Sequence, residues 1–198
     1  LGAMVVLQTF GLKYTTATKS GFITCLYVLI VPLLEPFVGG ARPTRRLYAC
    51  SFLALIGVGL MCGLFSTEEL DEKSRWNFGD VLTLLCAFAA SAHIFVIEAA
   101  HKKIGSSFSG FHFNNAQSLS AGLPTLILAI AIEPDAWKLP WQLIDAAFER
   151  SALPLLGFLS LTVFSTLIGF ALQIRAQRVL SPSTASLIFL LESPFAAL

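Results

Sequence analysis

From Ala152 to Ile174 the chain runs twenty-three residues without a charged side chain, and no other feature narrows its fold as much. A stretch of that length matches a bilayer hydrocarbon core of roughly 30 Å, and it can cross only as a helix, which pairs its backbone groups within itself. Leu47–Ser66 repeats the pattern with twenty uncharged residues. Over the whole chain 56% of residues are hydrophobic and 13% charged, against about 45–50% and about 25% in soluble domains. The chain reads as a membrane protein. A net charge of +1 and basic residues scattered through short loops give no footprint for nucleic acid. Cys25, Cys50, Cys62 and Cys86 lie in apolar runs at no metal or redox spacing, as small buried hydrophobes do.

Further spans are predicted over Ser20–Val38, Val81–Ile97 and Phe108–Ile132, and a last one begins at Ser181. Residues 1–14 form a helix too short to cross, so the chain is expected to begin inside one. Pro32 and Pro36 fall within the first full span, and each frees a carbonyl that a neighbouring helix or water must satisfy. Gly59 and Gly63, four apart, suit close helix packing. Thr67–Asp80 is the most hydrophilic segment, with Glu68, Glu69, Asp71, Glu72 and Asp80, and reads as an exposed linker. Glu133–Arg150 sets Trp137, Trp141, Ile144 and Phe148 at helical spacing opposite Asp145 and Glu149, the pattern of an interfacial amphipathic helix. Loops with Arg42, Arg45, Arg46, Lys102, Lys103, Arg175 and Arg178 are assigned to the cytoplasm. Glu35, near that end of its helix, is expected to pair with an arginine of the following loop.

Near the C-terminus, Q-I-R-A-Q-R-V-L-S-P-S-T-A-S-L-I-F-L-L-E-S-P-F-A-A-L (Gln173–Leu198) joins one apolar helix to another through Ser181-Pro182. Ser as N-cap followed by Pro is a physically sensible helix start. Aligning Gln8 with Gln173 also places Thr16 on Ser181, Thr18 on Ser183, Ile23 on Ile188 and Leu26 on Leu191, so one helix-turn-helix is expected to occur twice.

The run G-L-K-Y-T-T-A-T-K-S-G-F-I-T-C-L-Y-V-L-I-V-P-L-L, the A-R-P loop, G-D-V-L-T-L-L-C-A-F-A-A-S-A-H-I-F-V and the C-terminal A-Q-R-V-L-S-P-S-T-A-S-L-I-F-L-L-E-S-P-F-A-A-L together resemble the EamA-like branch of the drug/metabolite transporter superfamily. The resemblance covers nearly the whole chain. It implies an all-α fold, a polytopic membrane helix bundle of two inverted five-helix repeats, of which about seven helices, two of them partial, are present. Residues 1–66 would be the C-terminal part of the first repeat, 67–80 an acidic linker, and 81–198 a second repeat truncated in its fourth helix. It also implies a multi-pass protein of the inner (plasma) membrane. Where relatives carry an acid before Arg-Pro, this chain has Gly-Gly-Ala, and Glu35 is unusual in its helix.

There is no Gly-x-Ser-x-Gly elbow, no His-Glu-x-x-His and no phosphate-cradling loop, so no enzyme and no cofactor are expected. What remains is a set of polar groups in apolar helices. An acid deep in such a run is costly and usually faces a polar cavity, which points to Glu192. His93, Asn114, Gln117 and Gln173 are of the type that carriers gather near the midplane, with Thr24 on the polar face of its span and Tyr27 as a wall. Asn114, Gln117, Ser118, Ala121 and Thr125 share one helical stripe, and Thr162, Ser165, Gly169 and Gln173 another. The expected function is secondary transport, as an exporter, of a small metabolite or drug-like solute by alternating access, with protons as a candidate coupling ion, the lipid bilayer as surroundings and a homodimer as one compatible assembly. The alternative is a non-transporting membrane scaffold or assembly subunit whose polar stripes only lock helices together.

Overall fold

The computed structural model describes residues 1–40, 42–61, 76–105, 109–132 and 152–191, with isolated positions between 135 and 145. Among the described residues every regular element is helical, as an all-α membrane bundle requires. Ala3–Gly105 with Gln177–Leu198 form one compact unit and Ser106–Ala176 another. Among the described residues four helices are long and apolar enough to cross a membrane: Ala17–Val38, Phe78–Ile104, Gly110–Ile132 and Leu153–Ala176.

The first unit contains α1 (Gly2–Leu12), α2 (Ala17–Cys25), α3 (Tyr27–Leu34), a 3-10 turn (Glu35–Val38), α4 (Arg45–Met61) and α5 (Phe78–Ile104). The span expected from Ser20 starts three residues earlier, because Thr16 caps α2 by accepting from the Lys19 amide at 3.2 Å. Ser181 does the same for the helix Pro182–Phe189, accepting from the Thr184 amide at 3.3 Å. The two residues aligned in sequence are thus both N-caps, each satisfying an orphan donor. Of the span expected over Leu47–Ser66, residues 47–61 lie in α4 and the rest fall outside the described residues.

Ala17–Val38 is not one regular helix. It is interrupted at Leu26 and tightens into the 3-10 turn from Glu35. Pro36 lacks the amide that would have bonded the carbonyl four residues back, that of Pro32. The Tyr48 hydroxyl of α4 donates to that carbonyl at 2.8 Å, so a neighbouring helix supplies the missing donor. Apolar packing fixes these helices laterally. Cys25, Val28, Leu55, Val58 and Leu190 form one buried cluster, and Val31, Ile94 and Phe95, with Tyr27, Leu34 and Phe189 against them, form another.

The start of α5 departs from expectation. Asp80, read with the exposed linker, is fully buried. Asn77 and Asp80 make a reciprocal capping box, with the Asp80 amide donating to Asn77 Oδ1 at 3.2 Å and the Asn77 amide to Asp80 Oδ2 at 2.8 Å. The same carboxylate accepts from Thr15 Oγ1 at 2.7 Å and from Lys19 Nζ at 2.6 Å. Beside it α1 and α5 nearly touch: a Cβ at Gly79 would lie 2.6 Å from the Gly11 carbonyl oxygen.

In the second unit lie α6 (Gly110–Ile132), α7 (Leu153–Ser160), a π-helical segment (Leu161–Gly169) and α8 (Phe170–Ala176). Pro182–Phe189, α9, returns to the first unit. The amphipathic helix expected over Glu133–Arg150 falls largely outside the described residues, of which Asp135 and Lys138 form an exposed ion pair at 2.6 Å.

Removing one partner of a buried ion pair strands the other, which costs about 3–5 kcal/mol. Asp80→Leu is expected to destabilise the protein by that amount in reversible unfolding in detergent. Adding Lys19→Met should restore most of the loss, leaving about 1 kcal/mol for the missing cap.

Candidate functional site

Polar side chains inside the apolar spans are the material from which a site could be built. In the first unit they begin with the Thr15–Asp80–Lys19 group and continue inward to Ser20, whose hydroxyl lies 3.2 Å from that of Thr83. Ser20 and Thr83 are fully buried. Thr24 bonds back to the Ser20 carbonyl at 2.9 Å, which satisfies its hydroxyl within its own helix. Tyr27 packs on the Val31–Ile94–Phe95 cluster, a wall made of core contacts. His93 is 9% exposed midway along α5. Glu35, expected to meet an arginine, is instead 3% exposed and accepts a hydrogen bond from Ser183 Oγ. The arginines of that loop are exposed, and the turn at Glu35 carries the carboxylate toward α9 instead.

In the second unit the stripe read on Gly110–Ile132 is its sheltered face: Asn114 is fully buried and Gln117, Ser118, Ala121 and Thr125 are half-buried, while most other positions are exposed. Asn114 Nδ2 donates to the carbonyls of Thr166 at 3.1 Å and Leu167 at 3.4 Å. Both carbonyls belong to the π-helical segment, whose wider i→i+5 ladder departs from the α pattern. Gln117 Nε2 in turn donates to Asn114 Oδ1 at 2.8 Å.

That π segment also explains a mismatch. The stripe Thr162, Ser165, Gly169 and Gln173 was spaced for 3.6 residues per turn, and a π turn spreads such residues around the axis. Thr162 and Gly169 are exposed and only Gln173 is half-buried; the Ser165 side chain lies outside the described residues.

The predicted residues therefore divide. Thr24, Tyr27 and His93 belong to the first unit, Asn114, Gln117 and Gln173 to the second, and Glu192 lies outside the described residues. Asn114 and Gln117 are joined by a direct hydrogen bond. Two polar groups escaped the sequence reading. Asp80 was signalled by Asn77-x-x-Asp80 before an apolar run, the capping-box spacing. Gln177, 5% exposed, has no hydrogen-bond partner for its amide atoms among the described residues, and no local pattern marks it.

Asn114→Leu leaves the Thr166 and Leu167 carbonyls without their side-chain donor. A loss of about 1–3 kcal/mol in unfolding free energy is expected, and Gln117→Leu, which leaves Asn114 in place as donor to both carbonyls, should cost less.

Residues 77–198 match the EamA-like transporter family. An uncharacterized transporter of Archaeoglobus fulgidus is 28% identical over 191 residues, which are 96% of this chain and 54% of that protein. The chain thus spans about half the length of the curated relative it matches. No solved structure matches it. The family match covers more than half of a chain whose described residues include four membrane-length helices, and the chain belongs to the EamA-like transporter family as part of a multi-pass membrane protein.

Proposed function

We propose that the protein is a secondary carrier that exports a small metabolite or drug-like solute by alternating access. Burial is the observation that carries this reading. His93 and Asn114, at 9% and 0% exposure, sit inside helices long and apolar enough to cross a bilayer. Polar side chains at such positions are costly and usually mark a substrate or ion route.

In this reading Glu192, His93, Asn114, Gln117, Gln173, Thr24 and Tyr27 are the solute-binding side chains of a carrier made of two inverted repeats. Residues 1–66 belong to the first repeat, 67–80 link them and 81–198 belong to the second. The twin N-caps at Thr16 and Ser181 support that division, since repeats reuse the same turn on opposite faces of the membrane. Glu192 carries the coupling proton, and solute and proton exchange as one half rocks against the other. The chemistry is binding and release, with no bond made or broken in the solute.

A scaffold reading is favoured by one observation: Asn114 spends its amide on the backbone of a neighbouring helix, as helix glue would. The two readings separate in liposomes. Solutes that raise the melting temperature of the full-length protein are loaded and their movement followed under a pH gradient. Glu192→Gln is expected to reduce gradient-driven movement to the level of protein-free liposomes while leaving the melting temperature within about 2–4 °C. No solute movement by the unsubstituted protein above protein-free liposomes, with Glu192→Gln altering stability alone, would establish the scaffold.

A further inference from the structure

Where α2 meets α5 the contact is polar. Thr15 Oγ1 and Lys19 Nζ, on either side of the N-cap Thr16, donate to the Asp80 carboxylate at 2.7 and 2.6 Å, and further in the hydroxyl of Ser20 lies 3.2 Å from that of Thr83. Thr83 gives its own proton to the Gly79 carbonyl at 2.9 Å, so Ser20 is the donor between them. Thr15 is 6% exposed, and Ser20, Asp80 and Thr83 are fully buried. Because these contacts advance along both chains together, α2 and α5 run parallel from one membrane face, the face opposite Lys102 and Lys103 at the far end of α5. Neighbouring backbone closes the seam: a Cβ at Gly79 would lie 2.6 Å from the Gly11 carbonyl oxygen and 3.0 Å from the Thr15 amide nitrogen.

Deeper in the same span the packing changes in kind. Val28 is fully buried among Cys25, Leu55, Val58 and Leu190, and parting such a contact exposes apolar surface to water. Parting the seam exposes hydroxyls, an ammonium and a carboxylate, each of which exchanges its partner for water. The attraction within a buried ion pair is largely offset by the desolvation of its two ions, so separating the pair costs little where water follows and a great deal where it cannot. Lys19 and Asp80 therefore have the properties of a latch. The break at Leu26 lies between the seam and Val28, which gives the outer end of the span a place to bend.

We propose that the α2–α5 seam is a gate on the membrane face opposite Lys102 and Lys103, shut in this structure, with the Lys19–Asp80 pair as its latch. On opening, the turn at Thr16 moves off the first turn of α5, water replaces the partner of each ion, and Ser20 and Thr83 become the wall of a wet passage. Passage of solute through it rests on the carrier reading; opening of the seam does not.

The test uses the full-length protein, made cysteine-free and reconstituted in lipid, with a membrane-impermeant thiol reagent applied to both faces. Thr83→Cys is expected to react, and adding Lys19→Met, which leaves Asp80 in need of water, should speed the reaction about tenfold or more. Val28→Cys should stay unreacted in both backgrounds, which separates opening of the seam from loss of the fold. Silence of Thr83→Cys in both backgrounds, or reaction of Val28→Cys alongside it, overturns the gate; a rate unchanged by Lys19→Met overturns the latch. Ser20→Cys combined with Thr83→Cys, at positions whose hydroxyls lie 3.2 Å apart, is expected to form a disulfide that stops solute flux until reductant restores it in the same sample. Full flux through the crosslinked protein overturns the gate. Labelling of Thr83→Cys without flux by the unsubstituted protein removes the carrier reading alone, and flux with Thr83→Cys silent removes the gate alone.

Discussion

The hydrocarbon core of a membrane offers no water, so each backbone group and each polar side chain placed there must find its partner within the protein. Several irregularities among the described residues are answered in that way. Pro36 deprives the Pro32 carbonyl of a donor, and Tyr48 supplies one from the next helix. The ladder of Leu161–Gly169 widens, and Asn114 reaches two of its carbonyls. Helix starts at Thr16, Asn77 and Ser181 are each capped by their own side chain. The irregular spans persist because their freed groups are satisfied.

The same demand decides where polar side chains can lie. Around Ala17–Val38 they gather at both ends: Asp80 with Thr15 and Lys19 at the start, Glu35 with Ser183 at the finish. Between them the helix packs on apolar clusters. The buried Lys19–Asp80 pair differs from the exposed Lys138–Asp135 pair, which contributes about 0–1 kcal/mol. A span broken at Leu26 and tightened at Glu35, tied at each end by side-chain hydrogen bonds, has the parts that a moving helix needs: a place to bend and contacts to exchange.

Much of this was legible in the sequence. Membrane spans followed from uncharged length, and the sheltered face of Gly110–Ile132 followed from α-helical spacing at Asn114, Gln117 and Thr125, because that helix is regular. The same spacing failed at Thr162–Gln173, where the ladder is π-helical and no composition signal marks the change. Asp80 was masked by its acidic neighbours, although the Asn77 spacing contained the cap. Glu35 was assigned to nearby arginines because sequence proximity is visible and a partner 148 residues away is not. Among the buried polar groups, the common stripe of Asn114 and Gln117 was readable; Gln177, with no pattern of its own, was not.

The most direct measurement is the water accessibility of single cysteines in the full-length protein, made cysteine-free beforehand and reconstituted in lipid. If the sheltered polar face borders an aqueous path, Gln117→Cys and Thr125→Cys react with a membrane-impermeant thiol reagent and a transported solute slows that reaction. Leu123→Cys and Ile127→Cys, on the exposed apolar face of the same helix, stay unreacted. Equal silence at all four positions, or reaction at 123 and 127 in preference to 117 and 125, would contradict the assignment of that face to a solute path.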